Sequence, residues 1–300
     1  MKRFIIASAL LLALMLPHSV LRAQTEIEKR CERIEFRDQH QTRELFVYIP
    51  KTVCPESSDG RQPLVFVLHG YGGNGSRAQA GFLDLADRQG FALCFPSGIK
   101  CPRGKSGWNV GYPVQEGWEQ DDELFLTRLI PFLQKRFSLS RKNVFFTGMS
   151  NGGEMCYLMA MHHPEKFNAI ASIAGLTLFC MDRDYSRPIP FMEVHGTSDR
   201  TSMWNGDPEN KGGWGEYLPV PLAISYLCAV NRCTTARIEQ MPQIGNKVTK
   251  HVFSGGVPAW KGGPQAEVWL YEVENGGHSW STDDMDTCGE VWKFFSKYLR

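Results

Sequence analysis

Ser150 lies in Gly148-Met-Ser-Asn-Gly152 and is the one serine of the chain with glycine two residues away on both sides. A β-prone run, Val144-Phe-Phe-Thr147, leads into it and a helix-prone segment leads out. On so tight a strand-to-helix turn, a Cβ two positions either side of the serine would meet backbone, so glycine is demanded at 148 and 152. The chemistry on offer is nucleophilic: the hydroxyl is held out of the fold, and the N–H groups of the following helix face a developing oxyanion. A free hydroxyl is a poor nucleophile at neutral pH and needs a base. His278, in Gly276-Gly-His-Ser-Trp280, is the best candidate. A carboxylate must orient its imidazole, and Asp199, in His195-Gly-Thr-Ser-Asp199, falls between serine and histidine, with Asp182, Asp184 and Asp207 as nearby alternatives. The expected oxyanion donors are the N–H of Asn151 and one from His69-Gly-Tyr-Gly-Gly-Asn74, placed at Tyr71. Losing one such donor costs about 100- to 1,000-fold in rate.

These residues need elements to carry them. Residues 32–36 and 44–49 read as an opening antiparallel pair. The runs 64–68 and 91–95 are continuously apolar, as strands buried on both faces are. The remaining predicted strands are 144–147, 169–174, 190–195, 247–253 and 266–274. Helices are predicted near 79–87, from 121 to 137, after Ser150 to about His163, over 221–231 and over 287–299. Strands alternating with helices imply an α/β fold, with a mostly parallel sheet covered on both faces in one domain over 24–300. Four loops follow predicted strands: 69–74, 148–153, 197–199 and 276–280. In such a sheet reactive groups gather beyond the carboxyl ends of the strands. Two further stretches, 96–120 and 200–221, are long and rich in Gly and Trp, as loops that shape a binding site are.

Other polar residues have plainer readings. His69 shapes its loop, His195 is a core residue, and His162-His163 before Pro164 marks a helix end. Asp121 and Asp122 open a helix, where acidic residues suit the dipole. Trp108, Trp204 and Trp280 are candidate stacking platforms for a sugar or phenolic ring, although packing is the commoner fate of a tryptophan. The chain opens Met1-Lys2-Arg3, continues with an apolar run of about a dozen residues and reaches Ala23, the pattern of a cleavable signal peptide over 1–23. Without a cysteine just after it, a lipid anchor is not indicated, so a secreted or periplasmic protein with no membrane span after cleavage is expected. The 33 basic and 32 acidic residues nearly cancel, which argues against nucleic acid as a partner. Nine cysteines in an exported chain favour disulfides with one thiol left over. Their spacing contains no C-x-x-C and no cysteine–histidine cluster, so no metal site is expected.

With these pieces in order, the chain resembles carbohydrate esterase family 1 of the α/β-hydrolase superfamily. That group joins feruloyl esterases, acetylxylan esterases and polyhydroxybutyrate depolymerase-like esterases. The likeness rests on Leu68-His-Gly-Tyr-Gly-Gly-Asn74, Asp121-Asp122-Glu-Leu-Phe125, Thr147-Gly-Met-Ser-Asn-Gly-Gly153, His195-Gly-Thr-Ser-Asp199 and Gly276-Gly-His-Ser-Trp280. These pieces run from about residue 43 to the C-terminus. The resemblance implies an α/β-hydrolase fold and a secreted serine esterase working through an acyl-enzyme, with neither cofactor nor metal. It implies an acylated plant cell-wall polysaccharide or a small ester as substrate. Feruloyl or acetyl esters of xylan lead over polyhydroxyalkanoate, whose hydrolases present an apolar polymer-binding surface or an added domain. A serine peptidase of the prolyl-oligopeptidase type shares the turn, but the region before residue 64 is too short for a propeller. A non-catalytic carbohydrate-binding protein on the same fold has no need of all three triad roles. Two departures stand out: the stretch 200–221 is longer and richer in Trp and Gly than the family's usual, and the cysteine content is higher.

Overall fold

The computed structural model describes residues 24–38, 41–102, 104–181 and 185–300. The expected signal segment at 1–23 lies outside the described residues, as do Asp182 and Asp184. In chain order the first half gives α1 (Glu26–Arg30), β1 (Glu32–Asp38), β2 (Gln41–Tyr48), β3 (Leu64–Leu68), α2 (Phe82–Gln89), β4 (Ala92–Pro96), β5 (Ile99–Lys100), β6 (Ser106–Gly107) and α3 (Asp122–Arg136). Then come β7 (Val144–Met149), α4 (Asn151–His162), β8 (Ala169–Ile173), β9 (Phe191–Gly196), α5 (Val220–Val230), β10 (Thr235–Gln240), β11 (Val248–Ser254), β12 (Val268–Val273) and α6 (Thr287–Ser296).

Ten of these strands form one sheet in the order β1-β2-β4-β3-β7-β8-β9-β12-β11-β10, while β5 and β6 pair as a separate short ribbon. From β4 through β12 neighbours are parallel. The flanks are antiparallel: β1 and β2 on one side, β11 and β10 on the other. This is the doubly covered α/β sheet that the strand–helix alternation predicts.

Its two cores follow from strand geometry. Leu64, Phe66 and Leu68 point to one face and join Phe125 and Leu129 of α3, Met155 of α4 and Ile224 of α5. Val65 and Val67 point to the other and join Phe82 of α2 and Val291 and Phe295 of α6. Residues that alternate across a strand therefore feed both cores, so the β3 sequence has no polar position.

The sequence reading misses β10. All its residues but Glu239 are exposed and the strand lies at the sheet edge, so no face is buried and no alternation is written into Thr-Ala-Arg-Ile-Glu-Gln. It also treats Asp121 and Asp122 alike. Asp121 caps α3 by accepting the Leu124 N–H at 2.8 Å. Asp122 is fully buried against Arg43, Oδ1 to Nη2 2.5 Å, and its Oδ2 accepts the Asn109 N–H at 2.7 Å. It thereby ties the loop 96–120 to the sheet.

Candidate active site

Ser150 stands between β7 and α4 with φ 56° and ψ −124°, a strained conformation for any side-chain-bearing residue. Its N–H donates to the Ile173 carbonyl at 2.8 Å, which fixes the turn to the end of β8. The flanking glycines are required by space. A Cβ on Gly148 would fall 2.6 Å from the Gly152 carbonyl oxygen, and one on Gly152 2.8 Å from the His69 carbonyl oxygen.

Beyond β9 and β12 the backbone stitches two loops together. Thr197 N–H donates to the Val273 carbonyl, Ser198 N–H to that of Gly276, and Asn275 N–H to Thr197 Oγ1, each at 2.9 Å. The loops approach so closely that a Cβ on Gly196 would lie 2.3 Å from the Gly276 carbonyl oxygen. This seam delivers His278 Nδ1 to Asp199 Oδ2 at 2.7 Å. Asp199 is buried, and its Oδ1 accepts from Thr201 N–H at 2.7 Å and Ser202 N–H at 2.9 Å. With one oxygen held by two peptide donors, the carboxylate presents the other to the imidazole, whose remaining nitrogen is left for chemistry. Asp207, an alternative acid by sequence, accepts the N–H groups of Lys211 and Gly212 and closes a local turn instead. Ser150, Asp199 and His278 thus follow β7, β9 and β12 at one sheet edge; Ser150 and His278 are not hydrogen-bonded to each other.

The first glycine-rich loop is set by His69. Its Nε2 accepts the Gly98 N–H at 2.9 Å and its Nδ1 lies 2.8 Å from the Gly70 carbonyl, so the buried ring is neutral with its proton on Nδ1. Burial depresses its pKa to about 4. Gly70 brings this loop over the turn, since a Cβ there would lie 3.3 Å from that of Ser150. Among the described residues the N–H groups of Tyr71 and Asn151 donate to no protein acceptor. The side chain of Asn151 has separate work. Its Oδ1 accepts the Trp108 N–H at 2.7 Å and its Nδ2 donates to the Trp108 carbonyl at 3.0 Å.

One of the three tryptophan expectations, Trp108, needs correcting. Trp108 is wholly buried, and its indole N–H donates to the His69 carbonyl at 3.0 Å, so it is a packing residue and no platform. Trp204 is half-buried beside His195, and Trp280 is half-buried edge-on to Phe82 on the far side of the sheet. The aromatic surface near the turn is built instead by Tyr71, Tyr112 and Trp214, whose rings meet at 5.1 to 5.8 Å. Beside Tyr112 lies a cleft of about 460 Å³, walled by Gln115 and Glu116 from one long loop, Asn210 and Glu216 from the other, and Leu178 and Phe179 between them. The Tyr112 hydroxyl donates to Glu154, a buried residue of α4 whose pKa burial raises to about 8. The sequence reading omits Glu154, although an acidic residue within the apolar Gly-Gly-Glu-Met-Cys-Tyr-Leu run marks an internally satisfied site. The nine cysteines, all among the described residues, form no disulfide, where the composition suggests cross-links. Among the described residues no cluster of three or more His, Cys, Asp or Glu is arranged to hold a metal ion.

Known proteins resemble this chain in sequence and in fold. The chain is 28% identical over 165 residues to a bifunctional acetylxylan esterase/xylanase from Neocallimastix patriciarum, covering 54% of this chain and 22% of that protein. It is 26% identical over 153 residues to a feruloyl esterase B from Thermothelomyces thermophilus, covering 50% of each. The chain therefore spans half or less of these two curated relatives. The solved acetyl xylan esterase from Aspergillus awamori superposes with a TM-score of 0.61 at 13% identity, covering 89% of this chain and 99% of that one, and so shares its fold. A model of the family described as "Putative esterase" matches residues 39–231. The chain belongs to this esterase family of α/β-hydrolase type.

Proposed function

We propose that the chain is an exported serine esterase that removes feruloyl or acetyl groups from xylan-type polysaccharide. The observation that carries the reading is the strained Ser150 at the same sheet edge as the 2.7 Å His278–Asp199 bond. Ser150 Oγ attacks the ester carbonyl and His278 Nε2 takes its proton. The imidazolium that forms is stabilised by Asp199, and the oxyanion is met by the N–H groups of Tyr71 and Asn151. His278 returns the proton to the departing alcohol, and water, activated the same way, releases the acid. The relatives named for acetylxylan and feruloyl ester cleavage support the substrate class. Export is supported by the segment 1–23, and no described helix is long and apolar enough to cross a membrane. In an oxidising compartment the first thiols to join would be Cys228 and Cys233, which a tight turn brings together, the Cys233 N–H donating to the Cys228 carbonyl at 2.9 Å. Exchange with a disulfide oxidant would link them and release two thiols, a product that non-reducing peptide mapping detects.

Ser150→Ala is expected to lower p-nitrophenyl acetate hydrolysis by at least about 10⁴-fold; wild-type turnover in that variant would overturn the nucleophile. A panel of methyl ferulate, acetylated xylan, hydroxybutyrate oligomers and a proline peptide tests the substrate class. Preference for either of the last two would overturn it.

A further inference from the structure

Glu193 and His195 are ionisable residues on the central strand β9, where every side chain is buried. Strand alternation turns both toward the face covered by α4, while Met192 and Val194 pack into the opposite core. Both side chains are fully enclosed, so their polar atoms have to be answered within the protein. His195 Nδ1 lies 2.9 Å from Glu193 Oε1, and Nε2 donates to the Ser202 carbonyl at 2.7 Å. The same Nε2 is 3.7 Å from Asp199 Oδ2. Glu193 Oε1 accepts the Gly175 N–H at 3.3 Å and Oε2 the Tyr157 hydroxyl at 3.1 Å.

These bonds converge on the supports of the active site. The Ser202 residue is held at both ends, its N–H by Asp199 Oδ1 at 2.9 Å and its carbonyl by His195. His195 therefore fixes the turn whose N–H groups orient Asp199. Glu193, through Gly175, grips the loop after β8 against α4: a Cβ on Gly175 would fall 2.8 Å from the carbonyl carbon of Gly153. Whichever partner holds the shared proton, the pair is net neutral. Burial raises the Glu193 carboxyl; it also lowers the His195 imidazole, but the Glu193 carboxylate outweighs this and holds it above its ordinary value. The titratable groups facing the pair are Glu154, Cys156 and Tyr157 of α4 and Asp199 of the turn. Apolar side chains of similar volume would fill this space with less desolvation, so packing does not account for the pair.

We infer that Glu193 and His195 form a second histidine–carboxylate pair that positions Asp199, and through it His278, for catalysis. This rests on the triad proposed above. Both are positioning residues, touching neither Ser150 nor the substrate.

A double-mutant cycle with p-nitrophenyl acetate tests it, using His195→Phe and Glu193→Gln singly and each combined with Asp199→Asn. His195→Phe is expected to lower kcat about 10- to 100-fold, and Glu193→Gln about three- to tenfold, with KM within about twofold of wild type. Residues acting as a unit are non-additive, so in the Asp199→Asn background each change should cost less than about twofold. The inference is overturned if the losses multiply in that background, or if both single variants keep wild-type kcat. Should His195→Phe not fold, the isosteric Glu193→Gln carries the cycle alone. Failure of the triad itself would register separately, as wild-type turnover in Ser150→Ala or Asp199→Asn, and would take this inference with it.

Discussion

Asn151 contributes a backbone N–H beside Ser150, the proposed nucleophile, and a side chain that clamps the peptide groups flanking Trp108 at 2.7 and 3.0 Å. Asn151→Ala keeps the first and removes the second. It leaves the buried Trp108 N–H unmet, while the Trp108 carbonyl keeps Gln115 Nε2 as donor at 2.7 Å, so urea unfolding should show a loss of about 1–3 kcal/mol. Turnover should still exceed that of Ser150→Ala by orders of magnitude. The buried ionisable groups near the turn set a pH signature. His69, held down to about 4, is neutral when folded but takes a proton when unfolded below about 6.5, so its contribution is present above that value and lost as pH falls toward 4. Glu154, raised to about 8, keeps its proton when folded but loses it when unfolded above about 4.5, so stability falls as pH rises toward 8. Where the windows overlap the two slopes oppose. From pH 6.5 to 8 Glu154 should lower stability by about 2 kcal/mol at 1.36 kcal/mol per unit, and His195 and His163, both held above their ordinary values, decline in the same direction. Glu154→Gln should flatten that limb of a stability-versus-pH curve; a decline of unchanged slope would show another group at work.

At the scale of elements, what could be read in advance is what burial writes into sequence. β3 and β4 are buried along their whole length and read as unbroken apolar runs, and Gly148 and Gly152 announce the turn because no other residue fits. β10 leaves no such trace, having no buried face. Polar residues deep in the fold were the hardest to place, since a sequence shows their charge but not their partners. Asp122 reads as a helix opener beside Asp121, yet its partner Arg43 lies on β2, far away in the chain. Both side chains are fully enclosed, with Arg43 also over the Phe125 ring at 4.0 Å and its Nε 3.5 Å from Asp38. Asp122→Ala would take the closer of two carboxylates from the buried Arg43, leaving Asp38 at 3.5 Å, and cost about 3–5 kcal/mol. Because Asp122 also holds the Asn109 N–H, the loop 96–120 should loosen with it. Faster amide exchange at Asn109, together with the fall in urea midpoint, would separate this from a simple capping loss of about 1 kcal/mol.

Over the whole molecule the proposed triad and the long loops occupy different structural layers. The parallel strands place Ser150, Asp199 and His278 at one edge, while the long segments 96–120 and 200–221 meet above α4 and wall the cleft beside Tyr112. The sequence indicates that these two segments shape the site, but not through which side chains: it favours Trp108, which is fully buried, over Trp214, which is not. Trp214 lies 5.6 Å from the Tyr71 ring and 5.1 Å from that of Tyr112, in the aromatic surface shared by the first glycine-rich loop and the cleft. A bulky aromatic acyl group or a sugar ring would stack there, whereas an acetyl group would not reach it. Trp214→Ala should therefore raise KM for methyl ferulate about tenfold, while KM and kcat for p-nitrophenyl acetate stay within about twofold. Equal losses on both esters would instead mean that Trp214 supports the Tyr71 loop, and the proposed oxyanion donor with it. In that case specificity would have to come from another part of the cleft wall, with Phe179 the next side chain to replace.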